Sequence, residues 1–199
     1  MDFMSESSTA SIIEPADLRT GRLHLRRFRP SDAALVELYG SDERVARMTE
    51  RIPHPYPPGL AESYVSRAAA GSAGEVTWAI DIAGSGDAGN YGGTGGGLIG
   101  VITLRREPSG IARLGYWVAP AFWNAGYASE AAAAVVAHAA TLGIPEITAR
   151  VFHENVASVQ VLMHAGFDYT GDGEAYSVAQ GRMVPTHNYR RLLAAQVAR

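Results

Sequence analysis

The residues from Trp117 to Ala131, read in order as Trp-Val-Ala-Pro-Ala-Phe-Trp-Asn-Ala-Gly-Tyr-Ala-Ser-Glu-Ala, offer the first chemistry. They read as a strand end, a tight loop with one glycine at Gly126, and an alanine-rich helix. A loop that opens a helix presents unpaired backbone N–H groups at the positive end of the helix dipole. That arrangement is an anion site, and a diphosphate is its usual occupant. A second place of interest is Asn155 with Ser158. Asn155 suits a helix N-cap, and Ser158 then falls in the first turn, where serine is also an ordinary structural residue.

One glycine pattern looks like chemistry and is rejected. Gly84-Ser85-Gly86-Asp87-Ala88-Gly89 fits a dinucleotide fingerprint letter by letter and follows an alternating, strand-like segment. A nicotinamide-dependent oxidoreductase would need a helix directly after it. The chain instead runs through more glycine into another strand, so no strand-to-helix turn exists to hold a diphosphate. The six histidines include no pair with zinc-ligand spacing on one helix face, so they read as surface or packing residues and no metal is expected. Arg105 and Arg106 read as a solvated strand end.

These residues need a scaffold, and composition bounds it. The chain has 199 residues, 47% hydrophobic and 19% charged, as for an ordinary globule. A net charge of −3 supplies no basic field for nucleic acid. The absence of cysteine removes disulfides, thiolate metal sites and a cysteine nucleophile. No apolar run reaches the roughly 18 residues of a membrane span, and the start lacks the pattern of a secretory signal. A cytoplasmic monomer or homodimer, without membrane or direct nucleic-acid partners, is the expectation.

Residues 1–17 read as a loose polar tail. Leu23 to Phe28 is a first strand. Ser31 or Asp32 caps a helix whose apolar stripe is Ala34, Leu35 and Leu38. Ser41-Asp42 offers a second cap, for a short helix to Met48. Four prolines between positions 53 and 58 impose an extended loop. A helix from about Gly59 to Ala70 buries Leu60, Tyr64, Val65 and Ala68. Trp78, Ile80 and Ile82 alternate with small or polar residues, as in a strand, and residues 84–97 form a flexible glycine-rich hairpin link. Strands follow at 98–104 and 113–118. The helix after the anion loop runs over 128–142 with the stripe Ala128, Ala131, Ala132, Val135, Val136 and Ala139, small enough to lie close on a sheet. A strand at 147–152 and a helix at 155–165 come next, with Val159, Leu162 and Met163 facing inward. A strand begins at Phe167, a turn falls at 171–173, and one or two more strands occupy 174–193. Residues 18–199 thus form one mixed α/β domain.

The chain resembles the GNAT superfamily of acetyl-CoA-dependent N-acyltransferases, and is most similar to the branch containing the ribosomal-protein N-terminal (alanine or serine) acetyltransferases. Three pieces carry the likeness, in order and over roughly residues 18–193. They are Leu18 to Arg26 with Pro30-Ser31-Asp32; Leu114-Gly115-Tyr116-Trp117 followed by Trp123 to Ala131; and Asn155-Val156-Ala157-Ser158 ending in Ala165-Gly166-Phe167. The second resembles the family's diphosphate loop, and the third the helix that flanks the pantetheine arm. Within the loop, Asn124 stands where glycine is usual and Ala125 where Lys or Arg is frequent. Arg113 stands where the preceding strand often carries a glutamate base. Leu162 replaces a frequent general-acid tyrosine, and Ser158 matches the serine that this branch offers instead.

The resemblance implies a GNAT-type fold: a mixed, mostly antiparallel sheet splayed at its centre, with helices on both faces. It implies an enzyme that moves the acetyl group of acetyl-CoA, as co-substrate, directly to a primary amine through a tetrahedral intermediate. The acceptor is a protein N-terminus or a small-molecule amine. The backbone N–H of Val118 would hold the oxyanion, Ser158 would protonate the departing sulfur, and Asn155 would hydrogen-bond the pantetheine amide. Trp123, Asn124, Ala125, Gly126, Tyr127, Ala128 and Ser129 would complete the cofactor site. Tyr116, Tyr56 and Asp81 are the acceptor-side residues, the wall being the 48–58 loop and the 174–188 region. Asp81, His153 and Glu154 are candidates for the base that the amine needs. A non-catalytic acetyl-CoA sensor on the same fold is the alternative.

Overall fold

The computed structural model describes residues 16–72, 74–83 and 97–193. The expected tail at 1–15 and the expected link at 84–96 lie outside the described residues. In chain order the elements are β1 (Leu18–Arg19), β2 (Leu23–Arg26), a 3-10 turn (Pro30–Asp32), α1 (Ala33–Gly40), α2 (Glu43–Ala46), α3 (Leu60–Ala70), β3 (Glu75–Ile82) and β4 (Leu98–Arg106). They continue with β5 (Ala112–Val118), a second 3-10 turn (Pro120–Phe122), α4 (Tyr127–Thr141), β6 (Glu146–Phe152), α5 (Val156–His164), β7 (Asp168–Ser177) and β8 (Arg182–Leu192).

The described strands form one sheet of eight, in the order β1-β2-β3-β4-β5-β6-β8-β7. Every neighbouring pair is antiparallel except β5 and β6. A parallel pair requires a crossover, which α4 supplies. The alternation of strand side chains separates the two faces. Val76, Trp78 and Ile80 of β3 pack with Leu23 and Leu25 of β2 and with Ala131, Ala132, Val135 and Ala139 of α4. On the other face, Ala79 and Val101 lie under Val36 of α1 and Ala61 and Val65 of α3. The sheet is mixed, mostly antiparallel and open, with helices on both faces, as the sequence led us to expect.

Several local expectations change. The inward positions of α1 are Val36 and Gly40, while Ala34 and Leu38 face solvent. Gly40 lets the Tyr56 ring lie against the helix, for a Cβ there would stand 3.0 Å from the ring. On α5, Leu162 is fully buried but Met163 is exposed, because one residue turns about 100° around the helix and the packed face is narrow. No turn interrupts 171–173. β7 passes through it with a register shift between Tyr169 and Gly171, and the reversal into β8 comes after Ser177. At the chain's start, Ala16 and Asp17 are held rather than loose: the Trp78 indole donates to the Ala16 carbonyl, and Asp17 pairs with His24.

Beneath α1 and α3 lies a buried ionic group. Arg26 donates to both oxygens of Asp32 (2.7 and 2.8 Å) and both oxygens of Asp81 (2.6 and 3.0 Å). Asp32 also accepts the Arg29 N–H. Asp32 was a candidate cap for α1; its side chain makes no capping bond to that helix and serves this network instead.

Candidate functional site

Among the described strands, the site is built where β5 and β6 part. Pairing of β5 with β6 ends at Leu114↔Ala149, while β5 stays on β4 as far as Gly100↔Val118. Gly100 permits that close approach, since a Cβ there would collide with the Trp117 carbonyl. Just past β5, the Ala119 N–H donates to Ile99 O at 2.8 Å. This sets the phase of the antiparallel ladder, in which alternate residues turn their amides away from the neighbour. The N–H groups of Tyr116 and Val118 therefore point into the opening beside β6. The Val118 carbonyl on that side is already taken, because the Trp123 indole N–H donates to it at 2.6 Å. Trp123 thus pins the loop to the strand that precedes it.

The loop turns on two left-handed residues, Asn124 (φ 60°) and Gly126 (φ 79°). Asparagine adopts that conformation more readily than most residues and replaces glycine without losing the turn. Between them, the Ala125 carbonyl faces outward and accepts from Arg22 Nη1 at 2.9 Å. Glu130 N–H donates to Gly126 O as the helical ladder starts, so the N–H groups of Tyr127, Ala128 and Ser129 have no acceptor within α4. The β1–β2 hairpin grips this helix end from behind. Glu130 Oε2 accepts from Arg22 Nε at 2.7 Å, and Oε1 accepts from the Thr20 hydroxyl at 2.6 Å and the Arg22 N–H at 3.0 Å. The Arg22 guanidinium also lies 4.8 Å above the Tyr127 ring. Sequence reasoning missed Arg22 and Glu130. The only signal was an acidic residue in the first turn of a helix that opens an anion loop.

Across the opening stands α5. Asn155 caps it, its side-chain oxygen accepting the Ser158 N–H at 3.1 Å. The Tyr116 hydroxyl lies 2.7 Å from Ser158 Oγ and 3.2 Å from the Ser158 carbonyl, to which it can donate. Burial pushes the Tyr116 phenol well above its usual value, and the bond to Ser158 offsets this only in part. The phenol therefore stays protonated. Leu162 is sealed in the core and offers no functional group.

One continuous cleft is lined by Tyr56, Tyr116, Val118, Trp123, Asn124, Gly126, Tyr127, Ala128, Ser129, Glu154, Asn155 and Ser158. These are the expected site residues except Ala125, whose carbonyl is turned back to Arg22, Asp81 and His153. Burial raises the phenol pKa of Tyr56 as well. Asp81 is only 1% exposed, with both oxygens occupied by Arg26, so its expected acceptor-side role gives way to a structural one. His153 stacks on His187 (centroids 3.9 Å apart), and both approach Asp172 on neighbouring strands, away from the cleft lining. A helix-face rule for histidine spacing does not find such a cross-strand cluster.

This cleft, with unpaired amides at the start of α4 facing a split between two parallel strands, belongs to a defined class. Residues 22–168 match the family described as Acetyltransferase (GNAT) domain, and the chain belongs to that family. A stretch of 79 residues is 35% identical to the uncharacterized N-acetyltransferase YoaA of Bacillus subtilis strain 168, covering 39% of this chain and 45% of that protein. The match thus spans less than half of that relative's length. Among solved structures, a GNAT-family acetyltransferase from Bacillus anthracis superposes with a TM-score of 0.73 at 20% identity, over 89% of this chain and 98% of that one. RimL, a ribosomal L7/L12 α-N-protein acetyltransferase solved with coenzyme A, gives 0.73 at 17% identity, over 91% and 100%. The spermidine N-acetyltransferase of Vibrio cholerae, solved with CoA and spermine, gives 0.71 at 16% identity, over 90% and 100%. At these identities the structural likeness establishes the fold.

Proposed function

We propose that the protein transfers the acetyl group of acetyl-CoA to a primary amine. The observation that carries this reading is the pair of outward amides at Tyr116 and Val118, in the split of the sheet and next to a loop whose amides await an anion. The residues fit the co-substrate. Unpaired N–H groups of Tyr127, Ala128 and Ser129 suit a diphosphate, and the strand-like pantetheine arm suits the vacated edge of β5. No cation stands at the loop's third place, so backbone amides carry most of the phosphate charge.

The chemistry follows from the neighbours. The neutral amine attacks the thioester carbonyl, a C–N bond forms, and the C–S bond breaks. The Val118 N–H takes the oxyanion, a contact of a kind worth about 3 kcal/mol in a dry site. The amine's proton leaves to water, with Glu154 the carboxylate on the cleft wall beside α5. The thiolate takes a proton from Ser158 Oγ, which water restores, and the Tyr116 hydroxyl, 2.7 Å away, stays protonated and holds that oxygen in place.

Thiol release from acetyl-CoA, followed across a panel of amines alongside CoA binding, tests the proposal. Turnover with at least one amine supports it. Tight CoA binding with no turnover on any amine points to the sensor, and NAD binding without CoA binding overturns both.

A further inference from the structure

The acceptor's half of the cleft lies on the α1–α3 face of the sheet. Its floor is laid in cross-strand rows: Glu75, Arg105 and Arg113 in one, and Thr77, Thr103 and Gly115 in the next. Gly115 is exposed and leaves the floor open, since a Cβ there would meet nothing within 4 Å. Arg150 of β6, Arg51 of the 48–58 loop, and Arg67 and Tyr64 of α3 line the same cleft.

The ion pairs on this floor are unequal. Glu75 accepts from Arg105 Nε at 2.5 Å, Glu50 is 3.4 Å from Arg150 Nη1, and Arg113 donates to Glu107 at 2.9 Å. Each of these carboxylates is already engaged by an arginine. Arg51 and Arg67 are exposed and form no hydrogen bond or ion pair among the described residues. The floor thus has spare cations and engaged carboxylates, in a chain whose net charge is −3, while Glu154, a cleft carboxylate without an ion pair among the described residues, stands on the wall beside α5. All 17 basic residues of the chain are arginine, so these charges persist at any working pH and offer forked donors that fit a carboxylate.

We infer that the amine acceptor carries an anionic group near its amine: its own α-carboxylate in a free amino acid, or acidic side chains behind a peptide N-terminus. This rests on the acetyl-transfer reading and deepens it. Nearby cations disfavour an ammonium, so the same arginines lower the amine's pKa and release the neutral nucleophile. That matters in a site where Arg113 stands in place of a carboxylate base. A polycationic acceptor gains no carboxylate here and meets repulsion instead.

The test uses the purified full chain and matched acceptors: the peptides Ala-Glu-Glu, Ala-Gln-Gln and Ala-Lys-Lys as C-terminal amides, free alanine against alaninamide, and spermidine. Thiol release should rank the acidic peptide above the basic one by at least about tenfold, and alanine above alaninamide, since a charge-assisted contact is worth roughly that factor. The peptide and alanine arms tell side-chain anions from an α-carboxylate. Arg51→Gln and Arg67→Gln should each shrink the acidic-to-neutral ratio. A preference for Ala-Lys-Lys or spermidine, or ratios unmoved in both variants, overturns the inference. If no amine releases thiol, the acetyl-transfer reading has failed, and equilibrium binding of the same peptides to the CoA-loaded protein still decides. Tighter binding of the acidic peptide supports an anion-seeking cleft, and equal or reversed affinity sinks it.

Discussion

At Ser158, the proposed chemistry and the observed structure meet in one residue. Its N–H completes the Asn155 cap, and its Oγ meets the Tyr116 hydroxyl. The serine was singled out by the family resemblance, since its place in the first turn after a capping asparagine is by itself an ordinary structural one. Its partner was not, since Tyr116 lies 42 positions away and only the fold brings the two hydroxyls together. Ser158→Ala should lower kcat by about a hundredfold, the low end of what a positioned proton donor supplies, and change the KM for acetyl-CoA little. Tyr116→Phe should cost about tenfold in kcat, and the double variant should be no slower than Ser158→Ala, as expected of residues acting as a unit. Additive losses would separate Tyr116 from Ser158. Asp81 shows the converse failure of legibility: a lone carboxylate on a strand resembles a base until its partner Arg26, 55 residues earlier, is seen to occupy both oxygens.

Among the elements, the N-terminus of α4 matters most, because the loop's shape depends on what grips it. The alanine stripe and the start of the helix were visible from periodicity and from Gly126. The hairpin that clamps it was not, since the bonds of Thr20 and Arg22 to Glu130 cross more than a hundred residues. Gly126 has φ 79°, and a Cβ there would point at Arg22 Nη2, 3.4 Å away, rather than into the cleft. Gly126→Val should therefore lose at least about tenfold in CoA affinity through a strained turn and a displaced Arg22, measured by calorimetry on folded protein. Unchanged affinity would mean that the loop does not hold the diphosphate. The clamp also titrates. Partial burial pushes the Glu130 carboxyl up, but hydrogen bonds from Thr20 and Arg22 outweigh it, and the net direction is down. A carboxylate with a lowered folded pKa contributes stability above its unfolded pKa, near 4.3, and loses it as pH falls through the folded value. The gap in thermal midpoint between wild type and Glu130→Gln should be present at neutral pH and close as pH falls through the lowered folded value. A gap that persists in acid would rule out an ionised clamp.

Across the whole molecule, one sheet must be both rigid and split. Alternation and the alanine stripe foretold the strands and a helix lying close on a sheet, and the family resemblance supplied the helices on both faces. The place of the split was legible only through family resemblance, because nothing local in Tyr116 or Val118 says that β6 diverges after Ala149. The buried group of Arg26, Asp32 and Asp81 holds the α1–α3 side of this sheet, joining β2, β3 and the 3-10 turn under two helices. Its three side chains are nearly or fully buried, and losing Asp81 leaves a charge-balanced Arg26–Asp32 pair but strips buried Arg26 N–H donors of their acceptors. Desolvation raises the Asp81 pKa against the pull of Arg26, which marks how closed the site is. Asp81→Ala should lower unfolding stability by about 1–3 kcal/mol in urea titration, and Asp81→Asn, which keeps one accepting oxygen, by less. Thiol release per folded molecule should survive in both, because Asp81 faces the helices rather than the cleft. A variant with wild-type stability and no turnover would return Asp81 to the chemistry, and would mean that the acceptor reaches the sheet by a path other than the arginine-lined floor.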